Sequence, residues 1–439
     1  MRVAFRRPLT AAAALATLAL GACVGDDQNI INSPNPANGG VLFQRYVALG
    51  NSITAGYQSG GILDSTEVRS YPSLLAARAS ITTFGQPRLA GTGCPQPFVA
   101  PLTPSTVTGT SCGRVDVSAY TQNLAVPGVR IADLFVTPTN PANAFQRLYA
   151  LLTGGKSEVQ AMLDAHPTFV SVWIGNNDAL SAALGGVLGP TAAGADSNLT
   201  RLSSFQASLN NLTTAIKQTG TQGALLIGVV DAVTAAPLIQ PGAYFFLARD
   251  AAGRFNGKLV NNNCSPVTAL GTPNPLAANM VSFQIVSDAS FPEINCDPAA
   301  YPVGDPRRGV YLLDTDEQVV VRTRIAAYNT AIKAAADANN WAYVDPNAVF
   351  APLLVAKDAN GRYQNDRKCQ DLGSATTAAQ FQAAVLNSCP VTGPTAAPNF
   401  FGSLISFDGV HPSSAAHVIF AQEFAKAINA KYGTQLTTS

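Results

Sequence analysis

Short apolar runs recur along the chain, and most of them stop at a glycine or another turn-forming residue. Five have the length and composition of strands: residues 46–49, 120–126, 167–174, 223–230 and 341–344. Runs this short and unbroken are typical of strands that are buried on both faces of a parallel sheet. The pattern therefore predicts a central five-stranded parallel sheet.

Segments with helical periodicity lie between and after these runs. The clearest cover residues 71–78, 145–152, 159–164, 202–218, 317–339 and 413–432. Because strand and helix alternate, we predict an α/β fold with helices on both faces of the sheet, a three-layer α/β/α sandwich.

Three stretches interrupt this alternation, and we interpret them as long loop insertions rich in Pro, Gly, Asn and Thr. They lie near residues 84–118, 232–314 and 350–406. None shows a strand–helix alternation of its own, so we predict a single folded domain over residues 41–439.

The amino terminus carries a targeting signal. Three arginines precede an apolar stretch at 9–20, and small residues then lead to Cys23, with Leu20 at the third position upstream. This order resembles the lipobox of bacterial lipoproteins, in which the cysteine becomes the lipidated first residue. We expect a signal peptide over 1–22, a flexible linker over 23–40, and an exported protein that is lipid-anchored to the bacterial cell envelope, at the outer membrane or the periplasmic face. An ordinary signal peptide with an incidental cysteine is the alternative.

The charge balance limits the possible partners. Charged residues make up 12% of the chain and the net charge is +1, whereas a nucleic-acid-binding protein needs a clustered basic face. No nucleic-acid partner is therefore expected, and the sequence leaves the oligomeric state open.

Apart from Cys23, the chain has six cysteines, an even number for a chain that is predicted to be exported. They fall into three well-separated pairs, and neighbour pairing gives the disulfides Cys94–Cys112, Cys264–Cys296 and Cys369–Cys389. A metal site is the alternative, but the sequence contains no Cys-x-x-Cys and no histidine beside a cysteine. We therefore expect disulfides and no metal.

The first predicted strand stops at Gly50 and delivers Ser52 at its carboxyl end. Ligands bind at that edge in open α/β sheets, and a helix starting after Ser52 would direct free N–H groups toward the hydroxyl. Ser52 is therefore a candidate nucleophile. The alternative is a Gly-Asn-Ser turn in which Ser52 caps the helix.

Two residues near the carboxyl terminus could activate such a serine. Asp408 and His411 are three positions apart in the loop before the last predicted helix. The carboxylate could hold one imidazole nitrogen while the other faces outward. Alternatively, Asp408 forms an Asx-turn that caps the helix. The other two histidines, His166 and His417, are expected to be structural.

Two further residues could bind the negative charge that develops during acyl transfer. Gly128 can bring its backbone N–H close because it has no side chain, and Asn177 carries an amide at the end of the central strand. Both follow predicted strands, as Ser52 does, so all three are expected at one edge of the sheet.

These residues resemble the four sequence blocks of the SGNH, or GDSL, hydrolases: Gly50-Asn51-Ser52, Gly128, Gly175-Asn176-Asn177-Asp178 and Asp408-Gly409-Val410-His411. The resemblance implies a flavodoxin-like fold with a triad of Ser52, His411 and Asp408. It also implies an oxyanion hole formed by Gly128, Asn177 and the N–H of Ser52. One position differs, since Asn51 stands where the family usually has aspartate.

The resemblance further implies a serine esterase or lipase that hydrolyses carboxylic esters of small molecules or lipids. The reaction would pass through an acyl-enzyme, without metal or cofactor. Two alternatives remain open. One is a carbohydrate O-acetylesterase, since the family includes such enzymes, and the other is a non-catalytic binding module on the same fold.

The insertion at 232–314 leaves the sheet at the edge where the candidate site lies. It carries several aromatic residues, among them Phe245 and Phe246. We expect it to form most of the rim of a substrate pocket and to set the acyl-chain preference. Surface decoration is the alternative.

Overall fold

The computed structural model describes most of the chain from residue 39 onward. The described residues are 39–103, 112–116, 121–138, 144–186, 198–302, 305, 307–354, 356, 375, 377–381, 383, 401 and 403–439. The predicted signal peptide, Cys23 and the predicted Cys369–Cys389 pair lie outside these residues.

Strands and helices are numbered in chain order. The β-strands β1 to β12 cover Tyr46–Gly50, Leu89–Ala90, Gly113–Arg114, Phe169–Trp173, Gly223–Ile227, Ile239–Pro241, Arg254–Phe255, Lys258–Val260, Met280–Ser282, Glu293–Ile294, Leu312–Leu313 and Ala342–Val344. The α-helices α1 to α12 cover Ser52–Ala55, Asp64–Glu67, Tyr71–Arg78, Ala144–Leu152, Glu158–Ala165, Asn177–Gly185, Leu202–Gln218, Ala232–Ala235, Gly242–Leu247, Thr315–Ala338, Pro346–Leu353 and Ser414–Tyr432.

Shorter helical segments connect these elements. Turns of 3-10 helix cover Gly40–Phe43, Ile131–Phe135, Asn262–Cys264, Pro275–Ala278, Phe283–Val286 and Pro298–Ala300. A further helical turn lies at 378–381. Within the described ranges, no helix combines the length and the apolar character needed to cross a membrane.

The central sheet has the strand order β1-β4-β5-β12, and every neighbouring pair is parallel. Tyr46 pairs with Phe169 and Gly50 pairs with Trp173, so β1 and β4 run side by side from end to end. Every residue of these two strands is buried. Helices therefore cover both faces of the sheet, as expected for parallel strands.

Alternate residues of β1 and β4 belong to two separate hydrophobic cores. Val47, Leu49 and Val170 pack with α5, α7 and α10 on one face, whereas Tyr46 and Trp173 pack with α3 and α12 on the other. Side chains point to opposite faces at successive positions of a strand, which accounts for this division. The result is the predicted three-layer α/β/α sandwich.

The predicted second strand is not a full strand of this sheet. Residues 121–126 run parallel to β1 at its outer edge, and only Ala48 and Asn123 form a bridge. Three backbone hydrogen bonds of 2.9 to 3.2 Å join the two segments. The described central sheet therefore has four strands and an edge segment, rather than five strands.

Side chains replace part of the backbone pairing at both ends of this edge contact. At one end the Gln122 amide donates to the Tyr46 carbonyl at 2.9 Å, while the Gln122 N–H donates to the Gly85 carbonyl. At the other end the Gly50 N–H donates to the Glu158 carboxylate at 3.0 Å. At the Gly50 end the Val126 N–H still donates to the Gly50 carbonyl at 3.2 Å. The ladder does not continue as a regular strand pair, because the other backbone N–H groups at its two ends donate elsewhere.

The insertion after β5 folds around a core of its own. It contains two small sheets, with strand orders β11-β9-β6 and β10-β8-β7. Its core includes buried aromatic side chains: Tyr244, Phe245, Phe255, Phe283 and Phe291. Regular structure is thus present where the sequence indicated only an irregular loop, because strands of two or three residues are too short to produce a periodic pattern.

Two disulfides lie within the described residues, and both join neighbouring cysteines as predicted. Cys94 is bonded to Cys112, and Cys264 is bonded to Cys296. Cys264 and Cys296 belong to the core of the insertion. The second bridge therefore links two segments that already pack together.

Phe245 and Phe246 differ in their surroundings. Phe245 is fully buried and contacts the rings of three aromatic neighbours. Phe246 is partly exposed, and the guanidinium carbon of Arg249 lies 3.4 Å from the centre of its ring. Phe245 therefore stabilises the insertion itself.

Replacing Phe245 with Ala is expected to lower the free energy of unfolding by about 3 to 5 kcal/mol, because it leaves a cavity in the core of the insertion. Phe246→Ala is the matched control, since it removes the same side chain from a partly exposed position and should cost much less. Urea denaturation of both variants measures the difference. Equal losses would contradict the assignment of Phe245 to that core.

Candidate active site

Ser52 is the first residue of α1 and lies directly beyond the end of β1. Gly50 lets the backbone pass close to the end of β4. Its φ is +155°, and a Cβ at this position would lie 2.5 Å from the Trp173 carbonyl oxygen. Only glycine therefore lets the chain pass the end of β4 and present Ser52 at the edge of the sheet.

Asn51, rather than Ser52, caps α1. Its Oδ1 accepts the Ile53 N–H at 3.2 Å, and the residue is fully buried. The interpretation of Ser52 as the helix cap is therefore wrong, and its hydroxyl is available for other contacts. An amide oxygen accepts this capping bond as a carboxylate would, which accounts for asparagine where the SGNH pattern has aspartate.

Ser52, His411 and Asp408 form a continuous chain of hydrogen bonds. His411 Nε2 lies 2.8 Å from Ser52 Oγ, and His411 Nδ1 lies 2.8 Å from Asp408 Oδ2. Ser52 and His411 are separated by 359 positions in the sequence. The fold thus brings together the three residues that the sequence predicted as nucleophile, base and acid.

Asp408 uses its two carboxylate oxygens differently. Oδ1 accepts the backbone N–H groups of Val410 and His411 at 2.9 and 2.8 Å. Oδ2 faces the imidazole and accepts the Gly60 N–H at 2.7 Å. Burial alone would raise the pKa of Asp408, but attraction to His411 and these hydrogen bonds outweigh it and lower the pKa to about 2. Asp408 therefore forms an Asx-turn and contacts the imidazole at the same time. Ser413, rather than Asp408, caps α12.

Tyr57 supports the imidazole from the side. Its ring packs against His411 with the centroids 4.8 Å apart, and its hydroxyl donates to the Gly60 carbonyl at 2.5 Å. Burial, with a smaller contribution from Asp408, raises the pKa of Tyr57 to about 12, so the phenol stays neutral near pH 7. Sequence reasoning missed Tyr57, because a single aromatic residue in a loop carries no motif.

Asn177 begins α6 just beyond β4, and it borders the same cavity as Ser52. Asn177 Nδ2 donates to the Val129 carbonyl at 2.8 Å, which orients the amide. Gly128 immediately precedes Val129, is exposed and has a φ of +86°. Gly128 lies outside the described cavity lining. It is linked to the site through the next residue, Val129, whose carbonyl accepts the hydrogen bond from Asn177.

Buried carboxyl groups hold both ends of the loop that carries Gly128. Glu158 accepts the Val126 N–H at 3.0 Å, and Asp178 accepts the Ile131 N–H at 3.0 Å. Burial raises the pKa of Asp178 to about 6 and that of Glu158 well above its usual value. Sequence reasoning assigned no role to either carboxyl group, because the backbone groups that they bind have no sequence signature.

An apolar cavity opens beside Ser52 and His411, with about 550 Å³ of empty space including its mouth. Its other lining residues are Ile53, Asn176, Asn177, Leu180, Val230, Ala232, Ala235, Ala236, Phe350, Ile405, Val410 and Pro412. Of the residues that the structure describes in the insertion at 232–314, three alanines belong to this lining. The expectation that the insertion forms most of the rim was wrong, and neither Phe245 nor Phe246 belongs to the described lining. The aromatic side chain of Phe245 is used in the insertion's own core.

The other two histidines lie away from this cavity. His417 is fully buried in α12, where its Nδ1 accepts the Tyr71 N–H at 3.2 Å, and burial lowers its pKa to about 3. His166 ends α5 in the left-handed conformation. Among the residues that the structure describes, no group of three or more His, Cys, Asp or Glu side chains is arranged to hold a metal ion.

The sequence matches a known protein family over most of its length. The family model described as GDSL-like lipase/acylhydrolase matches residues 46–424. The chain belongs to this family. It is therefore a hydrolase that acts on ester bonds. No curated protein sequence matches it.

Several solved GDSL-type esterases and lipases resemble the chain in three dimensions. An acetylxylan esterase from Geobacillus stearothermophilus, solved as a catalytic mutant, is 15% identical, with 90% of this chain and 96% of that chain covered and a TM-score of 0.33. Phospholipase A1 from Streptomyces albidoflavus is 14% identical, with 88% and 98% covered and a TM-score of 0.29. An extracellular lipase from Streptomyces rimosus gives the same four values. Similarities this low select no substrate.

Proposed function

We propose that this GDSL-family hydrolase is a serine esterase or lipase that hydrolyses carboxylic esters with an apolar acyl group. The observation that carries the proposal is the hydrogen-bonded chain from Asp408 through His411 to Ser52, which ends beside an apolar cavity. A serine in this position has a base to take its proton and a space for the acyl group of a substrate.

In the proposed mechanism, acylation begins at Ser52. Its Oγ attacks the ester carbonyl carbon, and His411 Nε2 takes the hydroxyl proton. The tetrahedral intermediate collapses when the bond to the alcohol oxygen breaks, and the imidazolium returns the proton to that oxygen. Asp408 orients the imidazole and stabilises its positive charge between these steps. The low pKa of Asp408 keeps the carboxylate ionised near neutral pH.

Deacylation repeats the same proton transfers with water in place of the alcohol. His411 removes a proton from water as the oxygen attacks the acyl carbon, and then returns the proton to Ser52 Oγ as the acyl bond breaks. The products are a carboxylic acid and the regenerated serine. No other reactant is required.

Both tetrahedral intermediates carry a negative oxygen, which we assign to three N–H donors. These are the backbone N–H groups of Ser52 and Gly128 and the side-chain amide of Asn177. Two contacts support the assignment of Asn177. It shares the cavity with Ser52, and the Val129 carbonyl orients its amide.

The character of the cavity favours an acyl chain over a sugar. Most of the described lining is aliphatic, and among those residues the only aromatic ring beyond His411 is that of Phe350. Sugar sites need convergent hydrogen-bonding groups, whereas hydrocarbon chains need apolar walls. We therefore place the acyl chain against Val230, Ala235 and Ala236, which line the cavity from one segment, residues 230–236.

The assignment of the nucleophile is tested by Ser52→Ala. We expect kcat for nitrophenyl esters to fall by about a millionfold, because removal of one triad member disables the whole unit. Labelling by a fluorophosphonate should disappear in parallel. Ser287→Ala, a matched change at an exposed serine, should retain both activity and label.

Wild-type turnover in Ser52→Ala would contradict the proposed nucleophile, and a label on a different serine would move the site elsewhere. An intact wild-type protein that neither hydrolyses esters nor takes the label would support the non-catalytic alternative. An enzyme that accepts only acetate esters would instead favour a carbohydrate O-acetylesterase.

The assignment of the acyl wall is tested by Ala235→Leu. The larger side chain should occupy space needed by long chains, so kcat/KM for octanoate esters should fall by about tenfold or more relative to acetate esters. Ala326→Leu, at an exposed position of α10, is the control and should leave the chain-length profile unchanged. The same profile in all three proteins would place the acyl chain elsewhere.

We also propose that Cys23 anchors the enzyme to the bacterial cell envelope through lipid. The support is the order of apolar stretch, small residues and cysteine at the amino terminus. A single lipidated end would leave the catalytic body free to meet ester substrates at a membrane surface.

Anchoring is tested by Cys23→Ser in the full-length gene. Without the acceptor cysteine, the enzyme should move from the membrane fraction to the soluble fraction. Fluorophosphonate labelling of Ser52 in both fractions follows the folded enzyme and controls for aggregation. A variant that lacks lipid but stays in the membrane fraction would contradict the proposed anchor.

A further inference from the structure

Glu158 is the first residue of α5, and its side chain is fully buried. Its two carboxyl oxygens accept hydrogen bonds from two different segments of the backbone. Oε2 accepts the Gly50 N–H at 3.0 Å, and Oε1 accepts the Val126 N–H at 3.0 Å. One side chain therefore joins the end of β1 to the end of the neighbouring edge segment.

The two N–H groups that Glu158 binds lie at the same sequence distance from two proposed catalytic groups. Gly50 lies two residues before Ser52, and Val126 lies two residues before Gly128. Beyond these points the two backbones separate and supply the proposed nucleophile and a proposed oxyanion donor. Glu158 thus lies at the fork, the point after Gly50 and Val126 where the two backbone segments diverge.

At this point the carboxyl group takes the place of one of the backbone hydrogen bonds between the two segments. Ala48 is bridged to Asn123, so a continued parallel ladder would direct the Gly50 N–H to the Leu124 carbonyl. The N–H donates to Glu158 instead. The Val126 N–H donates both to Glu158 at 3.0 Å and to the Gly50 carbonyl at 3.2 Å. The carboxyl group and one backbone hydrogen bond therefore hold the two segments together at this point.

We propose that Glu158 is a positioning residue that sets the distance between Ser52 and the Gly128 N–H. The inference rests on the proposed serine mechanism, and it adds a residue that touches neither the substrate nor the triad. Displacements of about 1 Å between reacting groups cost about a hundredfold in rate. A rigid link at the fork therefore acts on the rate of the chemical step.

The two N–H donors account for a carboxyl group at this position. A carboxylate offers two acceptor oxygens, which match two N–H donors, whereas an amide offers one acceptor and would turn an N–H group toward the second donor. Burial raises the pKa of Glu158 well above its usual value, whereas the hydrogen bonds from Gly50 and Val126 act in the opposite direction and favour the ionised form.

Glu67 provides a matched control within the same chain. It is equally buried, and its two oxygens accept the backbone N–H groups of Arg88 and Leu89 at 3.1 and 2.6 Å. The loop that it holds contains none of the proposed catalytic residues. A change from carboxylate to amide therefore has the same local chemistry at Glu67 and at Glu158.

The test compares Glu158→Gln with Glu67→Gln. Both should lower the melting temperature. Only Glu158→Gln should lower kcat per titrated active site, by about ten- to a hundredfold with little change in KM. The rate of fluorophosphonate labelling at Ser52 should fall by a similar factor, because it depends on the same geometry.

Wild-type kcat and labelling rate in Glu158→Gln would overturn the positioning role, and so would equal losses of kcat in both variants. If Glu158→Gln does not fold, Glu158→Asp replaces it, since it keeps both oxygens and withdraws them by one methylene group. A wild-type kcat in that variant would also overturn the inference. Failure of the proposed function is distinct, because wild-type protein would then carry no label at Ser52.

Discussion

Parallel pairing of β1 with β4 is the constraint on which the site depends. Because Gly50 pairs with Trp173, both strands end at the same edge of the sheet. Ser52 and Asn177 then begin helices at that edge and border one cavity. Any shift in this register would move the nucleophile relative to the amide that is proposed to bind the oxyanion.

Buried carboxyl groups fix the positions of the loops at this edge of the sheet. Asp408 binds backbone N–H groups as well as the imidazole, and Glu158 and Asp178 hold the ends of the loop around Gly128. Charged groups are costly to bury unless their hydrogen bonds are satisfied. Each of these carboxyl groups accepts at least one backbone N–H. The same hydrogen bonds therefore satisfy a buried carboxyl group and fix the position of a loop.

The insertion after β5 contributes little lining to the cavity, although it is large. Its aromatic residues pack on one another, and its disulfide lies in that same core. Among its described residues, the contribution to the cavity wall comes from α8 and from Ala236, which follows that helix. The insertion can therefore vary in its own core without altering the wall, whereas a change at Ala235 acts on the wall directly.

Local sequence determined the four strands of the central sheet, the main helices and the candidate site residues, because apolar runs, glycine turns and short spacings are local properties. Those candidate residues are Ser52, Gly128, Asn177, Asp408 and His411. Only the tertiary structure decided that residues 121–126 stay at the edge, that Phe245 is a core residue, and that Tyr57 and Glu158 support the site. Each of these outcomes depends on a contact with a group distant in sequence, often a backbone N–H or carbonyl that every residue possesses. No pattern of side chains can mark such a partner before the chain has folded.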